Sequence, residues 1–460
     1  MSISSPSPAP ARKPKPVPER FQVAKTTLWF DRIMTKTIIG GGFTVIVAVF
    51  GILFFLLAVT IPLFQGADVK EGQSLAPAPQ ATGTWGLDPS GTQPFVYNNG
   101  RNVFFLDKDS GSLNPMPVAL PDNETVCAHS YNSFLSAYPV ATKSGKVGII
   151  SVHSGLNIHG RTNAHGPGNA GTEISPLHPM TENGEVPGRI SGVAYADAGE
   201  RKIFSTINET DQGPRLLLMT LEESRSLLHE GEFVPSGFHD LTECLDGRPV
   251  AMLPGNSGDS LIIATDTDKL LYFAYNEDSE TWEKRQTIPS PLGGGERMTT
   301  VNWLFGDMSL VLGGNRGSLK IFSLYPHPQA NGTALRLFGE TKKFPPLNGP
   351  VQHYAASGIN RSFLVSSPHA VRLCYGTTAD IRWESDRLNF SPVQLAANAE
   401  FNSMLATDGQ GRVHFFSIKD RHPEAGSKAL IGKIWYEGYD SPKWPVSYTH
   451  LRAHETLSDL

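Results

Sequence analysis

SLVLGGNRGSLKIFSL, residues 309–324, is an apolar run, a glycine-rich polar turn and a second run in which Leu319, Ile321 and Phe322 interleave with Lys320 and Ser323. Side chains on a strand alternate between faces, so this pattern predicts a β-hairpin with one buried side. Six other segments repeat it: PFVYNNGRNVFFLD (94–107), AYPVATKSGKVGIISV (137–152), KIFSTINETDQGPRLLLMTL (202–221), SLIIATDTDKLLYFAY (260–275), SFLVSSPHAVRLCYGT (362–377) and SMLATDGQGRVHFFSI (403–418). Measured between turns at Gly100, Gly145, Gly213, Asp268, Gly317, Ala370 and Gly411, the intervals are 45, 68, 55, 49, 53 and 41 residues. Intervals of this size suit blades of four short strands, and RMTTVNWLFG and PVQLAANAEF supply a further strand ahead of the fifth and seventh hairpins. One four-stranded sheet cannot bury both faces; stacking sheets radially until the ring closes does so and removes exposed edges. The expected fold is all-β: a seven-bladed, WD-like β-propeller over residues 85–440. Six or eight blades, a pair of β-sandwiches and a partly open β-domain are the alternatives. The 68-residue interval is expected to carry an inserted loop, Gly155 to Gly188.

Upstream of the ring, Thr37 to Phe64 (TIIGGGFTVIVAVFGILFFLLAVTIPLF) runs 28 residues without a charged side chain. That exceeds the roughly 20 residues a helix needs to cross a bilayer, where it satisfies its own backbone. A transmembrane helix over 37–64 is expected. Seven basic residues precede it (Arg12, Lys13, Lys15, Arg20, Lys25, Arg32 and Lys36) against Glu19 and Asp31, a surplus of five. Positive flanks stay cytoplasmic, so the N-terminus is expected inside and the ring outside. The leader is too long and the apolar run too extended for a cleaved signal peptide. Residues 1–20 read as a disordered basic tail attracted to anionic lipid, 21–36 as an interfacial helical lead-in around Trp29, and 65–84 as a polar linker.

The formal net charge is −5, so without its basic leader the chain carries −10, which argues against a nucleic-acid surface. Forty-five glycines and 35 prolines suit a turn-rich β protein. Cys127, Cys244 and Cys374 are odd in number and far apart, so they form no disulfide framework or zinc site and read as small buried side chains.

Candidate chemistry is sparse. His153, His159, His165 and His178 lie within 26 residues, but their spacing matches no metal-ligand pattern, and a solvated loop is the expected state. Gly293–Gly295 with Glu296 and Arg297 is not a phosphate-loop motif and reads as an inter-blade turn. Asn123, Asn208 and Asn331 begin glycosylation sequons, meaningful only in a eukaryotic secretory route. The Glu222–Glu223 pair reads as solvated surface. No catalytic, cofactor-binding or metal site is assigned, and the ring reads as a binding or scaffolding domain. A propeller enzyme of the quinoprotein or hydrolase kind would need ligands converging on the central channel.

The lead-in WFDRIMTKTIIGGGFTVIVAVFGILFFLL, the exit IPLFQGA and the segment GKIWYEGYDSPKW (432–444) together resemble the large form of the permease subunit of bacterial phosphate ABC importers. The resemblance spans residues 28 to 444 and is specific at its two ends. It implies a first membrane helix, a long periplasmic insertion, and a chain that re-enters the inner membrane from residues 441–445 to build a multi-helix core. It further implies a second permease subunit, an ATPase dimer that hydrolyses the ATP, and a periplasmic phosphate-binding protein as partners. The coupling and phosphate-path helices have no counterpart in these 460 residues. Residues 446–460 (VSYTHLRAHETLSDL) resemble the translation of a transposase-type sequencing adapter, so native sequence is expected to end near Trp444 or Pro445 and to continue differently in the intact gene. The alternative function is an anchored extracytoplasmic scaffold or sensor that binds envelope proteins.

Overall fold

The computed structural model describes residues 25–61, 66–75 and 83–419, with breaks at 90, 92, 108–109, 154–170, 186–187, 225–230, 329–333 and 386. The basic tail, the WYEGYD segment and the adapter-like tail therefore lie outside the described residues. Two units divide the chain near Phe64.

The first unit is one continuous α-helix, Lys25–Thr60. Within the described residues the expected lead-in and span run on as one element from Lys25 to Thr60, about 54 Å long at 1.5 Å per residue. The described side chains from Lys25 to Ala58 are all exposed, and the apolar part is long enough to cross a membrane. Thr35, Thr37, Thr44 and Thr60 each donate their hydroxyl to the carbonyl four residues back, at 2.6–3.0 Å. These four hydroxyls are in this way satisfied within the helix itself, as an apolar solvent requires.

The second unit is a seven-bladed β-propeller, as the hairpin spacing predicts. Blade 1 consists of Thr84–Leu87, Pro94–Tyr97, Asn102–Leu106 and Leu113–Pro117. Blade 3 is Arg189–Asp197, Arg201–Thr210, Gly213–Glu223 and Phe233–Asp240; blade 4 is Pro249–Pro254, Ser260–Thr265, Lys269–Asn276 and Thr281–Pro289. Blade 5 is Met298–Trp303, Ser309–Gly314, Leu319–Pro328 and Ala334–Phe344; blade 6 is His353–Ala356, Ser362–Ser367, Ala370–Tyr375 and Asp380–Glu384. In these five blades neighbouring strands are antiparallel and consecutive in sequence.

Two blades depart from expectation. In blade 2 (Val126–His129, Ala137–Thr142, Lys146–His153) the outer edge comes in two pieces, Gly171–Ile174 and His178–Pro179, both paired with Lys146–His153. The expected insertion loop Gly155 to Gly188 thus contains sheet edge as well as loop. In blade 7 (Pro392–Ala397, Ser403–Asp408, Val413–Lys419) the fourth strand is Asp68–Leu75, from the far end of the ring's own sequence. The expected linker over 65–84 is corrected accordingly: its first half is the strand that closes the circle. Asp68 pairs with Lys419 and Leu75 with Val413, with a register shift between Glu71 and Ser74.

The core lies between blades. Second and third strands are the most buried, with Ser260–Thr265, Ser309–Gly314 and Ser362–Ser367 buried at every position. Successive apolar clusters each draw on two neighbouring blades, such as Leu261, Ile263 and Phe273 packed with Ile203, Leu216 and Leu218. The closing cluster joins Leu75, Leu405 and Val413 of blade 7 to Trp85, Leu87 and Val96 of blade 1. There Gln394 accepts from the Trp85 amide at 3.0 Å and donates to its carbonyl at 3.2 Å, continuing a ladder across the seam.

Candidate functional site

The first strands of neighbouring blades approach one another and line the central channel. At one end, here the mouth, lie the turns joining second to third strands and the loops joining blade to blade. At the other, the floor, lie the loops joining first to second and third to fourth strands.

At the mouth, five inner strands begin with the same irregularity. The ladder skips Cys127, Ser191, Val250, Thr299 and Val393, each an extra residue opposite its partner strand. A bulge re-aims the side chain it carries: Cys127 Sγ, Ser191 Oγ and Thr299 Oγ1 donate to the Ala141, Ile207 and Gly313 carbonyls of the partner strands at 3.5, 3.3 and 3.2 Å. Val250 is 61% and Val393 52% exposed. The bulged positions thus carry two hydroxyls and a thiol turned back onto their own ladder and two exposed valines, none of them charged.

An acidic bracket sets the height of the mouth turns. In blade 2, Glu124 accepts from Ser144 Oγ at 2.5 Å and Lys146 Nζ at 2.9 Å. In blade 5, Glu296 accepts the Arg316 and Ser318 amides at 2.9 and 3.1 Å and Ser318 Oγ at 2.6 Å. In blade 4, Asp246 accepts Lys269 Nζ at 2.6 Å. Burial works to raise the Glu124 and Glu296 carboxyls, but these donors hold both below the ordinary glutamate value. Gly293, Gly294 and Gly295 all adopt positive φ, which only glycine does freely, and deliver the chain to Glu296; they form the expected inter-blade turn. The bracket was missed from sequence, although its signal is there: an acid 20–23 residues ahead of a Ser/Thr/Lys turn.

Blade 7 adds a cleft of about 430 Å³ at the mouth, lined among others by Glu71 and Ser74 of the closing strand, Phe390, Val393, Asp408 and His414. The Phe390 and His414 rings stack in parallel with centroids 3.7 Å apart. His414 Nε2 lies 3.4 Å from Asp408 Oδ2, and Asp408 Oδ1 accepts the Gln410 and Arg412 amides at 2.8 and 2.9 Å. Burial raises the Asp408 carboxyl, and the two amides with the imidazole more than offset it, leaving it below the usual aspartate value. Asp408 is a turn anchor by this geometry, its lone pairs committed to its own hairpin.

The floor is different in kind. Asn132 Nδ2 donates to the Tyr195 carbonyl, the Asn256 amide to Asp307 Oδ2, and Asn398 Nδ2 to the Pro89 carbonyl, so loops of neighbouring blades are tied side by side. Phe134 of blade 2 reaches blade 6: a Cβ on Gly358 would stand 3.2 Å from a Phe134 ring carbon and 3.3 Å from Ala399 Cβ.

The remaining sequence candidates are scattered. His153 lies 3.7 Å from Glu173 and His178 sits in the split edge of blade 2, while His159 and His165 lie outside the described residues. Among the described residues no group of three or more His, Cys, Asp or Glu side chains is placed to hold a metal ion. Asn208 is fully buried and accepts from Thr206 Oγ1 at 2.8 Å, so its sequon is closed off in the folded ring; Asn331 lies outside the described residues. Cys374 is buried in the core, Cys127 and Cys244 are half-buried, and all three are free. Glu222 pairs with Arg201 at 3.5 Å and Glu223 is exposed.

No family model and no curated protein sequence matches the chain. Among solved structures it is similar to the crystal structure of the beta-propeller domain of Cps50 (Swd1) from Myceliophteria thermophila, with 11% identity and a TM-score of 0.46, over 77% of this chain and all of that one. The seven-bladed description stands on the sheets themselves.

Proposed function

We propose that this chain is the membrane anchor and extracytoplasmic propeller of a permease subunit in an ABC importer of inorganic phosphate. One observation carries the reading beyond the resemblance of its two ends: Asp68 and Lys419 are directly paired, so the chain enters and leaves the ring at adjacent positions. A domain with that property interrupts a membrane protein at little geometric cost. The uncharged helix upstream and its basic leader support an inner-membrane anchor with the N-terminus in the cytoplasm and the ring in the periplasm. In this assembly a second permease subunit completes the pore, an ATPase dimer supplies the work, and a periplasmic binding protein delivers phosphate. The ring itself contributes binding surface at its mouth and floor.

The test is deletion of residues 68–419 from the intact permease, with a short Gly-Ser bridge replacing the ring. The boundaries follow the closing strand; a cut from residue 85 would leave Asp68–Leu75 without its partner. Phosphate uptake at low external phosphate is expected to fall several-fold while the membrane core still inserts. Unchanged uptake and regulation would remove the ring from the transport function.

A further inference from the structure

We propose that the cleft in blade 7 binds a short zwitterionic peptide, its terminal carboxylate on Arg412 and its ammonium on Glu71. The site is built from blade 7 and the loop that leads into it, and it does not depend on the transport assignment.

The ring's own repeats supply the comparison. In blades 2, 4, 5 and 7 the second and third strands are joined by one kind of turn. Gly145, Asp268, Gly317 and Gly411 each adopt positive φ there and donate their amides three residues back at 3.0–3.1 Å. The residue that follows is Lys146, Lys269, Ser318 or Arg412. In three of these blades its side chain donates to an acid 22 or 23 residues earlier: Lys146 to Glu124, Lys269 to Asp246 and Ser318 to Glu296. Glu124 and Glu296 stand two residues ahead of Val126 and Met298, which pair with Thr142 and Gly314 at the turn. Phe390 stands two residues ahead of Pro392, which pairs with Asp408 in the same way. Blade 7 thus keeps a cation after its turn and carries an aromatic ring where blades 2 and 5 carry a carboxylate.

Asp408 does not replace that acid for the cation. Its Oδ1 takes the Gln410 and Arg412 amides, as Glu296 takes the Arg316 and Ser318 amides in blade 5, and its Oδ2 faces His414. Arg412 is exposed in the cleft, and its guanidinium has no ion pair or hydrogen bond among the described residues. A guanidinium is a planar fork that fits a carboxylate through two parallel bonds. A ligand's terminal carboxylate therefore completes the corner that an internal acid completes elsewhere.

The closing strand brings the opposite charge. Glu71 pairs with Phe416, four residues beyond Arg412 on the third strand, which is roughly 13 Å along the ladder. Glu71 is exposed, lines the same cleft and has no partner among the described residues, while Lys70 beside it lies 3.9 Å from Asp68. Phe390 and Val393 give the cleft an apolar middle. In its wall, buried His414 has Asp408 at Nε2, which holds the hydrogen on that nitrogen and leaves Nδ1 an acceptor without a partner. An unmatched buried acceptor favours a ligand that carries N–H groups. Among the described charges of the cleft and its loop, Arg412 and exposed Arg387 offset Glu71 and Asp408, so a simple anion meets repulsion as well as attraction. A peptide of two or three residues spans about 7–10 Å between its termini, a gap that long Glu and Arg side chains close. The cleft's volume, about 430 Å³, lies in the range of small-ligand sites.

The test is calorimetric titration of the full-length protein in detergent with the tripeptide Gly-Gly-Phe. The free tripeptide is expected to bind. Amidating its carboxylate, or Arg412→Gln, should each weaken binding at least about tenfold, the usual weight of a charged hydrogen-bonded contact. Arg412→Gln should then leave the affinity for the amidated peptide unchanged. N-acetylation and Glu71→Gln are expected to behave alike at the other terminus. Phe390→Glu restores the acid of blades 2 and 5, so it should abolish binding while the urea midpoint stays at or above that of the parent. Failure of the folded parent to bind Gly-Gly-Phe, equal affinity for the free and amidated peptides, displacement of the peptide by an equal concentration of inorganic phosphate, or parent-like binding by folded Phe390→Glu would each overturn the proposal.

Discussion

At the scale of single residues, the most sensitive group is His129, in the inner strand of blade 2. Its Nε2 accepts from Thr84 Oγ1 at 2.8 Å and its Nδ1–H donates to Asn99 Oδ1, an arrangement that fixes the neutral tautomer. Tyr97 and Tyr138 crowd the ring, and burial holds its pKa down at about 4 against the ordinary 6.5. Because the folded value is depressed, the unfolded chain takes up this proton first. Stability is whole above pH 6.5, declines as pH falls through the window to about 4, and levels off below it. Burial lowers His178, His239 and His353 in the same direction, so their contributions carry the same sign. Urea unfolding of the ring is expected to show a lower midpoint at pH 5 than at pH 7, and His129→Gln should flatten that difference by keeping a neutral hydrogen-bonding side chain. Equal midpoints at the two pH values in the parent protein would refute it. The bracketing Glu124 and Glu296 and the turn anchor Asp408, all held below their ordinary values, enter only at more acidic pH.

At the scale of elements, the closing strand Asp68–Leu75 is the point of greatest leverage. Its sequence, DVKEGQSL, has little to bury: Leu75 enters the core, Val69 packs at its margin, and the register shift between Glu71 and Ser74 breaks the alternation. Ladder hydrogen bonds to Val413–Lys419 hold the rest. Leu75→Ala is expected to cost about 2–4 kcal/mol, the usual range for emptying a core leucine site. The denaturation midpoint measured by tryptophan fluorescence checks it, and a loss under about 0.5 kcal/mol would mean the seam closes without this residue. The same strand shows where sequence reading stopped. The second and third strands of every blade were legible because their apolar runs are continuous or alternate cleanly, as in Leu310–Leu312 and Leu319–Phe322. DVKEGQSL was not, because a strand held mainly by its backbone has no side-chain signature. The split edge of blade 2 hid in a Gly/Pro-rich stretch for the same reason.

At the scale of the molecule, a helix with every described side chain from Lys25 to Ala58 exposed precedes a ring that closes with its own first strand. Hairpin count was enough to predict seven blades because the second and third strands of each blade form one apolar hairpin around a polar turn, even though the intervals range from 41 to 68 residues. The site was far less legible. The mouth is made by bulges at Cys127, Ser191, Val250, Thr299 and Val393, and a bulge is defined by what lies opposite it, which a linear sequence does not display. The floor depends on Phe134 reaching Gly358, residues more than two hundred positions apart. The account as a whole depends on the ring standing outside the cytoplasm. With Cys127, Cys244 and Cys374 replaced by alanine, single-cysteine variants Val393→Cys and Ser5→Cys can be treated with a membrane-impermeant maleimide on spheroplasts. The account predicts that Val393→Cys is labelled on intact spheroplasts and Ser5→Cys only after the membrane is broken; the reverse pattern would contradict it.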